Sequence, residues 1–360
     1  MKRTLFILVL ITLLAAGCGG QDSPPVTQEL VSEVVVTQKD PGADEQDDSG
    51  LLANEAETLA SLEQVDPYPL YVMYYEGSYR QSDVGDTPEQ IPDGLWGESW
   101  TCTLFTSLAD EDNRLYGRNF DWEYSPMLLL FTDPPEGYAS VSVVDLAYLG
   151  FSDKDITRID ELPLAERTPL LDAPWWPFDG MNDQGLVIGM AAVPSGNMPI
   201  DPEKEMIDSL EIMREVLDNA SNVDEAVEIF TQYNINMEGG PDLHYLISDR
   251  SGKAALIEFF MAEMNIIWND QPYHMATNFL CSAVRENPEG RCWRYDKVAN
   301  RLELLGGSLL PDEAISLLND VAQPNTQWSV VYGISSGEVL LAIRQAYDQL
   351  YTFRLELVGK

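Results

Sequence analysis

The chain has 360 residues and a formal net charge of −39, from 60 acidic against 21 basic side chains. So acidic a surface lacks the basic footprint of a nucleic-acid binder and gives no charge-based docking on anionic lipid; it reads as a solubilising surface. Hydrophobic residues make up 45%, normal for a globular protein, and the length holds one large domain or two ordinary ones.

Lys2 and Arg3 form a basic start, residues 5–14 are apolar, and Leu14-Ala15-Ala16-Gly17-Cys18 ends the run with small residues before a cysteine. The run is shorter than the ~20 residues a spanning helix needs. It reads as an export signal and resembles a bacterial lipobox, which implies lipidation at Cys18 and a membrane anchor on the extracytoplasmic side. The other reading is an ordinary secretory signal with Cys18 incidental.

Residues 19–62 read as an acidic disordered tether. Pro24, Pro25, Pro41 and Gly42 break structure, Asp40, Asp44, Glu45, Asp47 and Asp48 repel one another, and a short helix is expected around 51–62. The folded part is expected to begin near 68–75, an aromatic and β-branched run, and Pro92, Gly94 and Gly97 loosen the chain before Thr101 and Cys102.

Residues 101–122 have the grammar of a hairpin. A strand follows Cys102, Asp110-Glu111-Asp112-Asn113 makes a turn, and a second strand runs into Gly117-Arg118-Asn119-Phe120-Asp121-Trp122. The fold-back brings Arg118 and Asp121, sixteen and nineteen residues after Cys102, towards the thiol. Strands are expected at 127–131 and 138–144, then an irregular span at 149–174. Trp175, Trp176 and Phe178 are either core or the wall of an acyl pocket, as are Tyr124 and Phe279. Residues 180–190 read as strand, turn, strand around Asn182-Asp183-Gln184-Gly185.

Asp201-Pro202 predicts a helix start, with Met206, Leu210, Met213 and Leu217 as its apolar stripe; Ser221-Asn222-Val223-Asp224 opens a second helix through Phe230. Strands follow at 243–248, 254–260, 265–268 and 273–277, helices at 291–305 and 311–321, and closing strands at 327–334, 339–343 and 350–357. His244 and His274 lie in strand patterns as packed or surface residues, and no Cys–His dyad is supported. Cys281 and Cys292, in an exported chain, are expected to form a disulfide.

The hairpin resembles the cysteine branch of the N-terminal-nucleophile (Ntn) hydrolases, which includes choloylglycine hydrolases, acid ceramidase-like amidases and the penicillin acyltransferase group. Their pattern is a cysteine, a short hairpin, then G-R-N-[FL]-D-[WF]. Gly180-Met181-Asn182 with Gly185-Leu186 resembles the second signature of choloylglycine hydrolase-like enzymes. That resemblance implies an oxyanion-hole role for Asn182. Thr277-Asn278 resembles the family's T-N element, which implies a side-chain amide of Asn278 near the reacting carbonyl. Arg294 matches an arginine near an R-[FY] helix start, with Arg291 in reserve.

The resemblance implies an α+β fold, a four-layer αββα sandwich with two antiparallel sheets. It implies a 63–101 propeptide segment ahead of a 102–360 catalytic domain, and no cofactor or metal. The implied activity is hydrolysis of a linear, non-peptide amide in a small N-acyl substrate. Scission of Thr101–Cys102 frees an α-amine, whose reference pKa of about 7.7–8.0 suits it as base to its own thiol. Arg118 would favour the thiolate, Asp121 would orient amine and guanidinium, and the path would run through a thioester. With 101 residues ahead of the cysteine, the chain is similar to the self-processing relatives. Two alternatives are an acyltransferase and a non-catalytic ligand-binding lipoprotein; the intact set Cys102, Arg118, Asp121, Asn182 opposes the second. A metal-dependent hydrolase finds little support: Asp110-Glu111-Asp112-Asn113 lacks the EF-hand glycine, and no cluster has zinc spacing.

Overall fold

Two β-sheets lie face to face, and each carries helices on its outer side. The computed structural model describes residues 30–31, 51–80, 101–152, 154–196, 198–284 and 288–359. The signal segment with Cys18, most of the tether, and Pro92, Gly94 and Gly97 lie outside the described residues.

The first sheet has seven strands, in the order Leu30–Val31, Tyr351–Arg354, Glu338–Ile343, Thr326–Gly333, Leu115–Asp121, Thr103–Ser107, Tyr273–Ala276. The second has nine, in the order Glu263–Trp268, Ala254–Phe260, Leu243–Ser248, Val187–Ala192, Pro177–Asn182, Ser140–Asp145, Met127–Thr132, Leu70–Tyr75, Glu63–Asp66. Helices Trp293–Leu304 and Pro311–Asp320 cover the first, and Glu211–Asn219 and Val223–Gln232 cover the second. This is the expected α+β sandwich in αββα order. Thr103–Ser107 and Leu115–Asp121 are buried at every position, because one face meets the other sheet and the other meets helices.

Most neighbouring strands of the two sheets are antiparallel, and each sheet has one parallel pair. Leu70–Tyr75 runs parallel to Met127–Thr132, and Leu30–Val31 parallel to Tyr351–Arg354. Between Leu70–Tyr75 and Met127–Thr132 the chain builds a hairpin in the opposite sheet, so no tight turn forces them antiparallel.

Two expectations need correction. The helix Ala53–Ala60 is packed, not tethered: Leu51, Leu59 and Leu62 are buried in a cluster with Tyr71, Met73, Leu170 and Leu171. The packed chain therefore includes residues from Leu51 onward, ahead of the start read near 68. The helix predicted from Asp201-Pro202 begins only at Glu211. Residues Glu205–Asp208 form a strand parallel to Tyr233–Asn236, and Met206 is exposed. The Asn234 side chain accepts from the Asp201 N–H at 2.8 Å and donates to its carbonyl at 2.7 Å, which ties this segment to the strand. The Asp208 carboxylate then accepts from the Leu210 N–H at 2.9 Å at the true helix entry.

The sheets approach closely where Tyr116 crosses between them. Its hydroxyl donates to the Leu246 carbonyl at 3.1 Å, and a Cβ on Gly189 would sit 2.6 Å from the Tyr116 oxygen, so only glycine fits. Among the described residues no helix is long and apolar enough to cross a membrane.

Candidate active site

Cys102 directly precedes the strand Thr103–Ser107, at an edge of the sandwich where several strands of both sheets begin or end. In the hairpin Thr103 pairs with Asn119 and Leu104 with Arg118; continuing that register sets Asp121 opposite Thr101. Arg118 and Asp121 are three residues apart, so they leave opposite faces of the strand. Arg118 points between the sheets and sets its charge beside the Cys102 thiol, while Asp121 takes the Thr101 hydroxyl on its carboxylate. Burial pushes the Cys102 thiol pKa up, against the pull of the Arg118 charge.

Arg118 is fully buried. Its Nη1 donates to the Phe178 carbonyl at 2.5 Å and to the Asp179 carboxylate, which also accepts from the Tyr332 hydroxyl. Its guanidinium carbon lies 4.9 Å from the Phe120 ring centre. On the helix-covered side, Arg294 donates to the Cys102 carbonyl, to Thr103 Oγ1 at 2.9 Å and to Asn278 Oδ1 at 3.0 Å, and stands 3.8 Å from Asp121. Arg291, the reserve, is exposed, so Arg294 occupies the site.

Asn278 Oδ1 accepts from the Cys102 N–H at 2.6 Å, and its Nδ2 donates to the Ala192 carbonyl at 2.8 Å. The structure thus brings Cys102, Arg118, Asp121, Asn278 and Arg294 together. It does not bring Asn182. Both amide hydrogens of Asn182 are held, by the Leu217 carbonyl at 3.0 Å and the Ala220 carbonyl at 2.7 Å, and its oxygen accepts from the Gln184 and Leu186 N–H groups. Asn182 fastens a turn to the covering helix and has no hydrogen left for an oxyanion.

The aromatic candidates scatter. Phe178 is buried against Phe120 and Trp328 near the site. Trp176 lies against Tyr148, whereas Trp175 packs edge-on to Tyr79 and donates to the Arg80 carbonyl, away from the thiol's partners. Phe279 meets Tyr295, and Tyr124 is exposed edge-on to Tyr68. Cys281 and Cys292 are separate free thiols, not a disulfide. The Glu258 carboxylate holds the Cys281 N–H at 2.8 Å and the Ser282 N–H at 2.7 Å, fixing that turn against the sheet, while Cys292 stands at the entry of the next helix. His244 pairs with Glu258 at 3.1 Å inside the core. Among the described residues no group of three or more His, Cys, Asp or Glu can hold a metal ion.

Burial pushes the carboxyl of Asp121 up to about 7, against hydrogen bonds and charge from Thr326, Arg294 and Arg118. Burial does the same to Asp145, also to about 7. A raised folded-state pKa means that between about pH 4 and pH 7 the folded chain holds more protons than the unfolded one. Stability from these groups is present in acid and is lost as pH rises through 7. The melting temperature is expected to fall from pH 5 to pH 8, and Asp145→Asn to flatten that slope; an unchanged slope in the variant would reject the assignment.

An αββα sandwich with thiol, guanidinium and carboxylate at one strand edge is the architecture of the Ntn amide hydrolases. Residues 102–279 match the family described as linear amide C–N hydrolases, choloylglycine hydrolase family. Among solved structures, a cysteine-to-alanine mutant of the conjugated bile acid hydrolase from Clostridium perfringens aligns over 71% of this chain and 92% of its own, with TM-score 0.51 and 19% identity. An arginine-to-leucine variant of that hydrolase gives 70%, 92%, 0.50 and 18%. Penicillin V acylase from Agrobacterium tumefaciens aligns over 67% and 83%, with TM-score 0.46 and 18% identity. Residues 102–279 thus form a domain of the linear amide C–N hydrolase type, and the protein is a hydrolase acting on linear amide C–N bonds.

Proposed function

We propose that the chain is a self-processing cysteine hydrolase that cleaves a small N-acyl amide through a thioester on Cys102. The observation that carries this is the 2.6 Å contact from the Cys102 N–H to Asn278 Oδ1, beside a thiol that feels the Arg118 charge. In processing, Sγ attacks the Thr101 carbonyl carbon and the Thr101–Cys102 C–N bond breaks. The thiol proton goes to the departing amine, and water then hydrolyses the thioester to leave a Thr101 carboxylate and a free thiol. The freed amine stays in reach of Asn278 Oδ1 and serves as base to the thiol in each later turnover. The substrate acyl group takes the place of Thr101, and Asn278 Nδ2, turned from Ala192, would donate to the tetrahedral oxygen. We also propose export and a lipid anchor at Cys18, supported by the segment 1–18.

Intact mass of the protein from a bacterial host tests both. Wild type is expected as two chains split after Thr101, the first bearing a diacylglyceryl group on Cys18, and Cys102→Ala as one chain. A wild-type chain left whole would reject self-processing, and an unmodified Cys18 would reject the anchor.

A further inference from the structure

One buried charge stands behind the stretch that carries Asn278. Glu258, on the strand Ala254–Phe260, is fully buried. Continuing the register of Tyr245 with Ile257 sets it opposite His244, also fully buried, whose Nδ1 lies 3.1 Å from Glu258 Oε1. Tyr245 packs on Phe230 of a covering helix, so its neighbour His244 faces the other sheet. Burial pushes the Glu258 carboxyl up, but the His244 ring and the Ser282 N–H outweigh burial and hold the pKa below the ordinary value. A carboxylate only accepts, so His244 Nδ1 carries the proton; among the described residues its Nε2 has no partner.

The same carboxylate holds the turn just beyond Asn278. The strand Tyr273–Ala276 ends, the chain leaves the first sheet, and the two oxygens of Glu258 accept the Cys281 and Ser282 N–H groups at 2.8 and 2.7 Å. Between these points Phe279 packs edge-on to Tyr295, on the helix that carries Arg294. Asn278 itself accepts from the Cys102 N–H at 2.6 Å and donates to the Ala192 carbonyl at 2.8 Å. Ala192 and Glu258 belong to the second sheet, on the strands either side of Leu243–Ser248, whereas Cys102 leads into the first. The second sheet thus grips this stretch twice, by the Asn278 amide and by Glu258, and sets it relative to a thiol on the other sheet.

We infer that Glu258 is a positioning residue for the hydrolysis: acting through the turn 278–282, it holds the Asn278 amide where Cys102 and the reacting carbonyl need it. The inference rests on the proposed thioester chemistry and adds to it a residue that touches neither the thiol nor the acyl group. Two turn N–H groups can be met by neutral acceptors or by water. Here they are met by a charge taken out of water, which is costly unless it is paired and hydrogen-bonded. What the charge supplies is a pair of strong, directed hydrogen bonds from one rigid group. A displacement of about 1 Å at a reacting group can cost about 100-fold in rate, so the fixing of this turn bears on catalysis as well as on folding.

Hydrogen–deuterium exchange of the full-length Cys102→Ala chain, with and without Glu258→Gln, reads the link from Glu258 to Asn278 without turnover. Glutamine keeps one acceptor and turns an N–H on a donor. Exchange is expected to quicken at residues 281 and 282 and, through Asn278, at the N–H of residue 102, while both sheets stay protected. Steady-state hydrolysis of N-octanoylethanolamine is expected to fall about 10- to 100-fold in kcat, with KM little changed. In the Asn278→Asp background the same substitution is expected to cost about threefold or less, because its effect passes through Asn278; a role confined to folding would cost the same in both backgrounds. If exchange throughout both sheets shows that Glu258→Gln does not fold, Glu258→Asp, which keeps the charge one methylene short, takes its place with the same expectations. Quickened exchange at residue 102 without hydrolysis by wild type would support the link and reject the catalytic reading. Quickening confined to residues 281 and 282, a loss in KM alone, or equal losses in the two backgrounds would overturn the inference.

Discussion

Asp179→Asn is expected to destabilise the fold by about 3–5 kcal/mol, because it leaves the Arg118 guanidinium buried without its counter-charge. Arg118 and Asp179 are both fully buried, and the carboxylate serves two groups, Arg118 Nη1 and the Tyr332 hydroxyl. An asparagine keeps the shape but loses the charge and turns an N–H towards one of those donors. Chemical denaturation of wild type and variant measures the loss. The companion variant is the double replacement Arg118→Met with Asp179→Leu, which removes both charges. A buried ion pair replaced by apolar groups of similar size is often neutral or stabilising. The double variant is therefore expected to regain most of the stability and none of the amide hydrolysis, since the charge beside the Cys102 thiol is gone. Asp179 acts through Arg118: in Asp179→Asn the pH–rate profile of residual hydrolysis is expected to move, because the guanidinium no longer sits where it lowers the thiol pKa. A single variant as stable as wild type would show that Asp179 is not the counter-ion that holds Arg118. A double variant that hydrolyses normally would remove Arg118 from the chemistry.

Asp179 leaves no mark of its own in the sequence, although it directly precedes Gly180-Met181-Asn182. Cys102, Arg118 and Asp121 were legible because one hairpin carries all three, so their spacing in the chain is nearly their spacing in space. Asp179 stands 61 residues from Arg118, in the other sheet, and only the stacking of the sheets brings them together. The available signal was a lone charge among apolar neighbours, Trp175 to Met181. The adjoining Gly180-Met181-Asn182 drew attention to Asn182, whose hydrogen bonds all serve a turn and the end of a helix. A turn asparagine and an oxyanion donor leave the same mark in a sequence. Thr326, which bonds Asp121, carries no motif at all. The layers were legible because amphipathic helices alternate with hairpins. The false helix start at Asp201 shows the limit: capping residues also make local turns, and Asn234, 33 residues away, decided the outcome.

The second large effect concerns Asn278, which joins two functions that one pair of substitutions can separate. Its oxygen accepts from the Cys102 N–H at 2.6 Å and from Arg294 at 3.0 Å, and its nitrogen donates to the Ala192 carbonyl at 2.8 Å. Asn278→Leu removes acceptor and donor together. It frees the Cys102 nitrogen and strips Arg294 of one partner, so both self-processing and hydrolysis are expected to fail. Asn278→Asp keeps an acceptor for Cys102 and Arg294 and removes only the N–H donor. Its chain is expected to split after Thr101, while steady-state hydrolysis falls about 100- to 1,000-fold, the usual cost of one oxyanion donor. The loss is expected in kcat more than in KM, because the bond to the oxyanion exists only in the transition state. Hydrolysis by Asn278→Asp within a few-fold of wild type would leave the side-chain nitrogen as a strut to Ala192 and move the oxyanion contact elsewhere. A chain that fails to split, yet binds N-octanoyl ligands as wild type does, would instead place the nitrogen in the processing step, where the Thr101 carbonyl passes through the same tetrahedral geometry as the substrate.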